Sequence, residues 1–404
     1  MKIVSVDVMQ VPSGNAGSKR GAWSPVVVRI NTDEGISGFG EAGLAYGKGW
    51  RAGLGMIQDF AEVIIGEDPM KIEKIWETLF RKTFWGMGGG TVVNAAVSAI
   101  DIALWDIKGK ALNVPVYQLL GGKTNDNLRV YASQLQFNWG ENLDKQMLIT
   151  PDEYAEVTRK ALDDGYNCIK VDPVIFSDQP DGKGNWKITG PLEKRVLRTI
   201  YNRIYAMRKA GGDDIDIIIE MHSNTDTTSA IEIGKMLEEF RIFYYEEPVH
   251  PLNPENMLEV HKKVNIPIAS GERIYTRYGY RPFFENRSIQ VIQPDLCLCG
   301  GITEAKKICD MANTYDCAVQ IHVCGSPISK AAALQIEAVL PNFIIHEHHQ
   351  RALNRESRAT CLYDYQPVNG IYKVPDKPGI GQELTPETIK KCKIITISSS
   401  QKYM

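Results

Sequence analysis

Three stretches decide the fold: Asp216-Ile-Ile-Ile-Glu220-Met-His222, Phe243-Tyr-Tyr-Glu246-Glu247-Pro248 and Ile268-Ala-Ser-Gly-Glu272-Arg273. Each is a short apolar run ending on a carboxylate. Glu220, Glu246 and Glu272 recur at a constant interval of 26 residues. That interval fits one strand, one helix and two short loops. Three successive parallel strands would then deliver a carboxylate each to the same end of a barrel. The C-terminal face of the strands is where barrel enzymes place their chemistry. Three converging carboxylates repel one another unless a cation lies among them, and hard oxygen donors select Mg²⁺ over zinc.

Outward from this stretch the same alternation continues. Strands are expected at Leu128–Gln134, Cys168–Asp172, Asp216–His222, Ile242–Pro248, Ile266–Glu272, Ile289–Asp295, Ala318–Val323 and Ile344–His349, with helical segments between them. Eight strands of this kind argue for a (β/α) barrel rather than an open doubly wound sheet. Two insertions, Leu135–Thr150 and Pro173–Gly190, follow strand ends and so should overhang the active face.

The N-terminal part reads differently. Lys2–Met9, Val26–Ile30 and Gly35–Glu41 suggest an antiparallel sheet, and Lys48–Leu112 reads as helices. Ala95–Leu112 is apolar on most faces, which implies a buried helix. The Gly-rich, basic stretch Ser13–Gly21 suggests a lid whose Lys19 or Arg20 meets an anionic substrate. Gly86-Met-Gly-Gly-Gly90 has no preceding strand and no following Gly-Lys-Ser/Thr, so it reads as a turn, with Trp85 near the site. The tail segment Ile394–Ile397 should return to the N-terminal sheet.

Composition excludes several classes. A chain of 404 residues is long enough for two domains, and 43% hydrophobic with 24% charged residues is ordinary for a globular protein. A net charge of −3 argues against a nucleic-acid partner, and no run of 18 apolar residues suggests a membrane span. The N-terminus reads as a strand rather than a secretory signal. Eight cysteines without a Cys-x-x-Cys pair suggest reduced thiols in a cytoplasmic protein. Cys297-x-Cys299 with His322 and Cys324 could be read as a zinc site, but strand-end cysteines are more often small buried hydrophobes.

The strand ends carry Lys170, Glu220, His222, Glu246, Glu247, Glu272, Arg273, Asp295, His322 and the run His346-Glu347-His348-His349. Any one of these could be a satisfied core residue or a solvated one. Together on one barrel face they are not explained by packing. Such a set supports abstraction of a proton beside a carboxylate, with Mg²⁺ stabilising the enediolate and a His or Lys as base. His322 has the position for the base, and Asp295 on the neighbouring strand can hold its Nδ1 proton.

The strand-end set, with Asp101-Ile-Ala-Leu-Trp-Asp-Ile-Lys-Gly-Lys110, Leu119-Leu-Gly-Gly122, Ile292-Gln-Pro-Asp295 and Gly300-Gly-Ile-Thr-Glu304, resembles the enolase superfamily. Within it the chain resembles the mandelate-racemase subgroup, and acid-sugar dehydratases of galactonate and mannonate type. The resemblance implies a modified TIM barrel, (β/α)₇β, at 126–374 under an N-terminal α+β capping domain at 1–125, completed by 375–404. It implies Mg²⁺ on Glu220, Glu246 and Glu272, and His322 with Asp295 as base. Glu347 would hydrogen-bond the enediolate oxygen, and His222 would assist departure of the 3-hydroxyl. Arg273 joins Lys19, Arg20 and Trp85 as candidate substrate contacts. The expected partners are a small acid sugar and further copies of the chain, with neither nucleic acid nor membrane.

Two positions depart from that pattern. The first ligand is usually Asp and here is Glu220; one extra methylene moves the carboxylate by roughly 1.5 Å. The second strand usually offers Lys-x-Lys in racemases and here reads Lys170-Val-Asp172. The expected activity is therefore dehydration of an aldonate such as galactonate, gluconate or mannonate to a 2-keto-3-deoxy acid. An epimerase, with His322 and Lys170 as its two bases, a cycloisomerase, and a sugar-acid-binding regulator remain alternatives. Specificity is expected from the Ser13–Gly21 lid, the Gly43–Trp50 loop and the two insertions.

Overall fold

Apolar alternation near the N-terminus produces three antiparallel strands, β1 (Ile3–Gln10), β2 (Val26–Thr32) and β3 (Ser37–Ala42), paired in that order. The protein is represented by a computed structural model that describes residues 1–12, 23–141, 147–183 and 186–399. Lys19 and Arg20 of the expected lid lie outside the described residues. Across the sheet lies the helix Gly90–Leu112, which by length and composition could cross a membrane. Most of it is buried here, and it packs closely on β3. A Cβ on Gly38 would stand 2.1 Å from the Ala103 carbonyl oxygen, and one on Gly40 2.0 Å from that of Ala99. Only glycine permits backbones to approach so closely.

Eight parallel strands follow: β4 (Asn127–Ser133), β5 (Cys168–Val171), β6 (Asp216–Glu220), β7 (Tyr244–Glu246), β8 (Ile268–Ser270), β9 (Val291–Ile292), β10 (Ala318–Val319) and β11 (His346–His349). A helix lies between each consecutive pair, from Pro151–Asp163 to Pro327–Glu337, and β11 pairs back onto β4. Hydrogen bonds from the Val319 N–H to the Asn342 carbonyl (2.8 Å) and from the Ile344 N–H to the Val319 carbonyl (3.0 Å) join the seventh strand to the chain entering the eighth. The result is a (β/α)₇β barrel. Its strands are buried on both faces, so they read as continuous apolar runs, Ile217–Ile219 being the clearest.

A short strand, β12 (Ile371–Lys373), pairs antiparallel with the start of β4. The last, β13 (Lys393–Ser398), pairs antiparallel with β1, so the tail does return to the N-terminal sheet.

The cap is tied to the barrel by buried polar contacts. The Trp76 indole donates to the Gly300 carbonyl (2.8 Å), Asp101 accepts from the Thr303 N–H (3.0 Å) and the Trp105 indole donates to Thr303 Oγ1 (2.8 Å). Glu41, at the end of β3, accepts from the Ser326 N–H (2.9 Å) and from the Ser329 N–H (3.2 Å). The motifs around Asp101 and Gly300 are thus the cap–barrel joint.

Candidate active site

Parallel register places Glu220 of β6 beside Glu246 of β7, and Glu272 lies just past the end of β8. One oxygen from each comes within 4.8 Å of the others. Among the described residues this is the one His/Cys/Asp/Glu group assembled closely enough to hold a metal ion. Cys297 and Cys299 are buried in the main core, and among the described residues no zinc-type cluster surrounds them.

Lys170, on β5, lies among the carboxylates. Its ammonium is 2.6 Å from Glu246 Oε1, 3.1 Å from Glu347 Oε1 and 3.6 Å from Glu220 Oε2, with every partner at most 2% exposed. Burial alone would lower Lys170; Glu246, Glu347 and Glu220 outweigh it and hold the ammonium well above its ordinary range. The expectation that Lys170 could serve as a second base meets this placement: the side chain is 1% exposed, faces three carboxylates and is not in the wall of the cavity described below.

One lysine does not neutralise the set. Glu220 Oε2 and Glu246 Oε2 are buried without a hydrogen-bond partner. Burial and the adjacent Glu246 carboxylate push the Glu220 carboxyl well above its ordinary range. An all-oxygen donor set with surplus negative charge and orphaned buried oxygens fits a hard divalent cation.

The extra methylene of Glu220 has a visible use. Its Oε1 curls back to accept the His222 N–H at 2.6 Å. His222 and Ser223 have φ of 45° and 52°, a left-handed turn that non-glycine residues enter at a cost and that clusters at functional sites. The Glu220 hydrogen bond supports that turn. His222 Nδ1 lies 2.6 Å from Asp172 Oδ2, while Asp172 Oδ1 accepts the N–H groups of Val174 and Ile175, both at 2.9 Å.

A second pair has the same construction. His322 Nδ1 lies 2.8 Å from Asp295 Oδ2, and Asp295 Oδ1 accepts the Cys297 N–H at 2.7 Å. His322 Nε2 lies 3.0 Å from Glu272 and 3.9 Å from Glu347. Burial would lower His322, but Glu272, Asp295 and Glu347 outweigh it and raise it well above the ordinary histidine range. Glu347 accepts from Ser133 Oγ (2.7 Å) and the Val323 N–H (3.0 Å). Against burial, which raises it, Lys170 and His322 hold its carboxyl far below the ordinary range. In this arrangement Glu347 is an acceptor, and donating to an oxyanion would require a proton from elsewhere. The flanking His346 and His348 are committed outside the site, to Glu337 (2.6 Å) and the Tyr372 hydroxyl (2.8 Å).

A cavity of about 460 Å³ opens above these groups. His222, Glu272, Arg273, Asp295 and His322 line it. The cap contributes Gly43, Ala45 and Tyr46, and the two insertions contribute Phe137 and Ile175. Trp85 is a correction: it is 78% exposed, edge-on to Phe84, and not in the cavity wall. Arg273 reaches the cavity, but its guanidinium is clamped by the Glu247 carboxylate and donates to Ser223 Oγ at 2.8 Å. Its charge is thus neutralised within the protein. Sequence reasoning missed Asp172 as the partner of His222, and Gln134, Asn224 and Arg351 as wall residues. For Asp172 a signal existed: two residues after Lys170 it faces the same side of the chain.

Residues 1–121 match the N-terminal domain of the mandelate racemase / muconate lactonizing enzyme family, and 153–388 match the enolase C-terminal domain-like family. The chain belongs to the mandelate racemase / muconate lactonizing enzyme family of the enolase superfamily. It is 32% identical to the D-galactonate dehydratase of Variovorax paradoxus, covering 90% of this chain and 89% of that one. It is also 32% identical to the D-xylonate dehydratase of Haloferax volcanii, covering 92% and 85%. A crystal structure of an enolase-superfamily member from Salmonella Typhimurium is 58% identical, with TM-score 0.94 over 98% of this chain and 100% of that one. Members of the superfamily bind a divalent metal, and the three glutamates could hold one here.

Proposed function

We propose that the protein is a Mg²⁺-dependent dehydratase of a sugar acid, releasing water and a 2-keto-3-deoxy acid. The observation that carries this reading is the presence of two histidine–aspartate pairs on one cavity wall beside a carboxylate triad. Glu220, Glu246 and Glu272 would hold the ion, which when bound supplies positive charge where the substrate carboxylate gains electron density. With Glu272 committed to the ion, His322 would be relieved of the carboxylate that faces Nε2 at 3.0 Å and would take the C2 proton at that nitrogen, while Asp295 holds the Nδ1 proton and steadies the resulting imidazolium. His222, steadied by Asp172, delivers a proton to the departing 3-hydroxyl. Removal of the C2 proton and the 3-hydroxide leaves an enol, which tautomerises to the 2-keto acid. Lys170 offsets the charge of the buried carboxylates and keeps their oxygens in place. The buried free thiols suit a reducing cytoplasm.

The names of the two dehydratase relatives support the substrate class, an aldonate such as galactonate, gluconate or mannonate. Two-base epimerisation is the second reading, favoured by the second His–Asp pair; His222 rather than Lys170 would then be the second base. A panel of aldonates and aldarates, incubated with the protein and Mg²⁺ and assayed for 2-keto acid, tests the proposal. Activity should vanish in excess EDTA and in Glu246→Gln, and return to the wild type with Mg²⁺. Full turnover in EDTA would break the metal assignment. Inversion at C2 without loss of water would replace dehydration by epimerisation.

A further inference from the structure

Arg351 lies just beyond β11, in the short helical turn Gln350–Leu353, and lines the cavity. Its guanidinium sits over the Trp23 ring, 5.1 Å from the centroid, and the Trp23 indole reaches the Cys324 carbonyl at 3.5 Å. Trp23 is itself 4% exposed, so the guanidinium rests on a fixed platform. Arg351 forms neither an ion pair nor a side-chain hydrogen bond among the described residues. Arg273, the other guanidinium of this wall, is closed by Glu247. The triad lies at the ends of β6, β7 and β8, whereas Arg351 follows β11, four residues past Glu347. A partly buried guanidinium held on an aromatic face with its donors uncommitted is suited to an oxyanion.

We infer that the substrate carries a second anionic group at the end remote from the reacting carboxylate, received by Arg351. The inference rests on the sugar-acid reading and narrows it, from neutral-ended aldonates to acid sugars with a terminal oxyanion. That oxyanion is either a second carboxylate, as in an aldarate, or a phosphate monoester, as in a phosphorylated aldonate.

Binding tests this without turnover. His322→Asn protein loaded with Mg²⁺ is titrated calorimetrically, at fixed ionic strength, with a hexarate, a 6-phosphoaldonate and the matching aldonate. At least one dianion should bind about 10- to 100-fold more tightly than the aldonate, the range for a charge-assisted pair. Preference for the hexarate alone identifies a carboxylate, and preference for the phosphate ester alone identifies a phosphate. Arg351→Met in the same background should remove the advantage, and Arg351→Lys should restore part of it. The inference is overturned if the aldonate matches both dianions, if the advantage survives Arg351→Met, or if none of the three binds. Absence of 2-keto acid from wild-type protein with every probe would instead overturn the dehydratase reading, while the binding ratio is judged separately.

Discussion

The two histidine–aspartate pairs are built alike and placed differently. In each, the aspartate is fixed by the backbone N–H two residues on, Val174 for Asp172 and Cys297 for Asp295, and its other oxygen meets Nδ1 of the histidine. The surroundings separate them. His322 is 13% exposed and lies within 3.0 Å of Glu272, on the strand-like segment that bridges to Asp295. His222 is 29% exposed, sits in a left-handed turn and has Gln134 as its Nε2 neighbour at 3.5 Å. A histidine in extended backbone among carboxylates is rigid and suited to taking a proton from carbon. A histidine on a turn, more open to solvent, is suited to meeting a leaving hydroxyl.

This comparison is broken most directly at the two imidazoles. His322→Asn should lower dehydration on the order of 10⁴-fold or more, beyond the ordinary contribution of one acid–base group, because no other base replaces it. In deuterated water it should also lose exchange at C2. His222→Asn should lower dehydration by about 10²- to 10⁴-fold yet retain C2 exchange, read by NMR over a long incubation. Exchange that survives loss of His322 and vanishes with loss of His222 would reverse the roles.

The aspartates sharpen it. Asp295→Asn and Asp172→Asn each remove the acceptor that fixes a tautomer, and both should cost roughly 10²-fold in kcat. Only Asp295→Asn should also slow C2 exchange. Equal slowing of exchange by both would mean that the pairs act in the same step, as epimerisation requires.

The smallest effect concerns the joint on which both pairs depend. Glu41 ties β3 to the loop that follows His322, and burial pushes its carboxyl up to about 7. An unfolded glutamate titrates near 4.5. The native state therefore holds the proton more tightly between these values. The contribution of Glu41 to stability is present below about pH 4.5 and is lost as pH rises through about 7. Thermal melts from pH 5 to pH 8 should show the wild-type advantage over Glu41→Gln shrinking as pH rises, by a few degrees at most. A gap that widens with pH would contradict the protonation assigned to Glu41.

The strand ends also separate what reading along the chain can find from what it cannot. The triad was legible because strand and helix periods fix how often the chain returns to one end of a barrel, and a 26-residue interval is one return. His322 and Asp295 were legible for the same reason, on neighbouring strands with one orientation. The extra methylene of Glu220 was visible as a departure, but not its use, because the recipient is a backbone N–H in a turn that sequence spacing does not specify.

The sequence by itself determined the barrel, the antiparallel cap with its returning tail, the carboxylate triad and the His322–Asp295 pair, since each follows from local periodicity and strand-end position. Tertiary structure alone decided which charges remain free. It gave Asp172 to His222 across 50 residues, enclosed Lys170 among Glu220, Glu246 and Glu347, closed Arg273 with Glu247, left Arg351 on Trp23, and kept Trp85 out of the site. The physical reason is that a charged side chain is neutralised by whichever opposite charge lies within a few ångströms after folding, and local pattern carries no record of that distance.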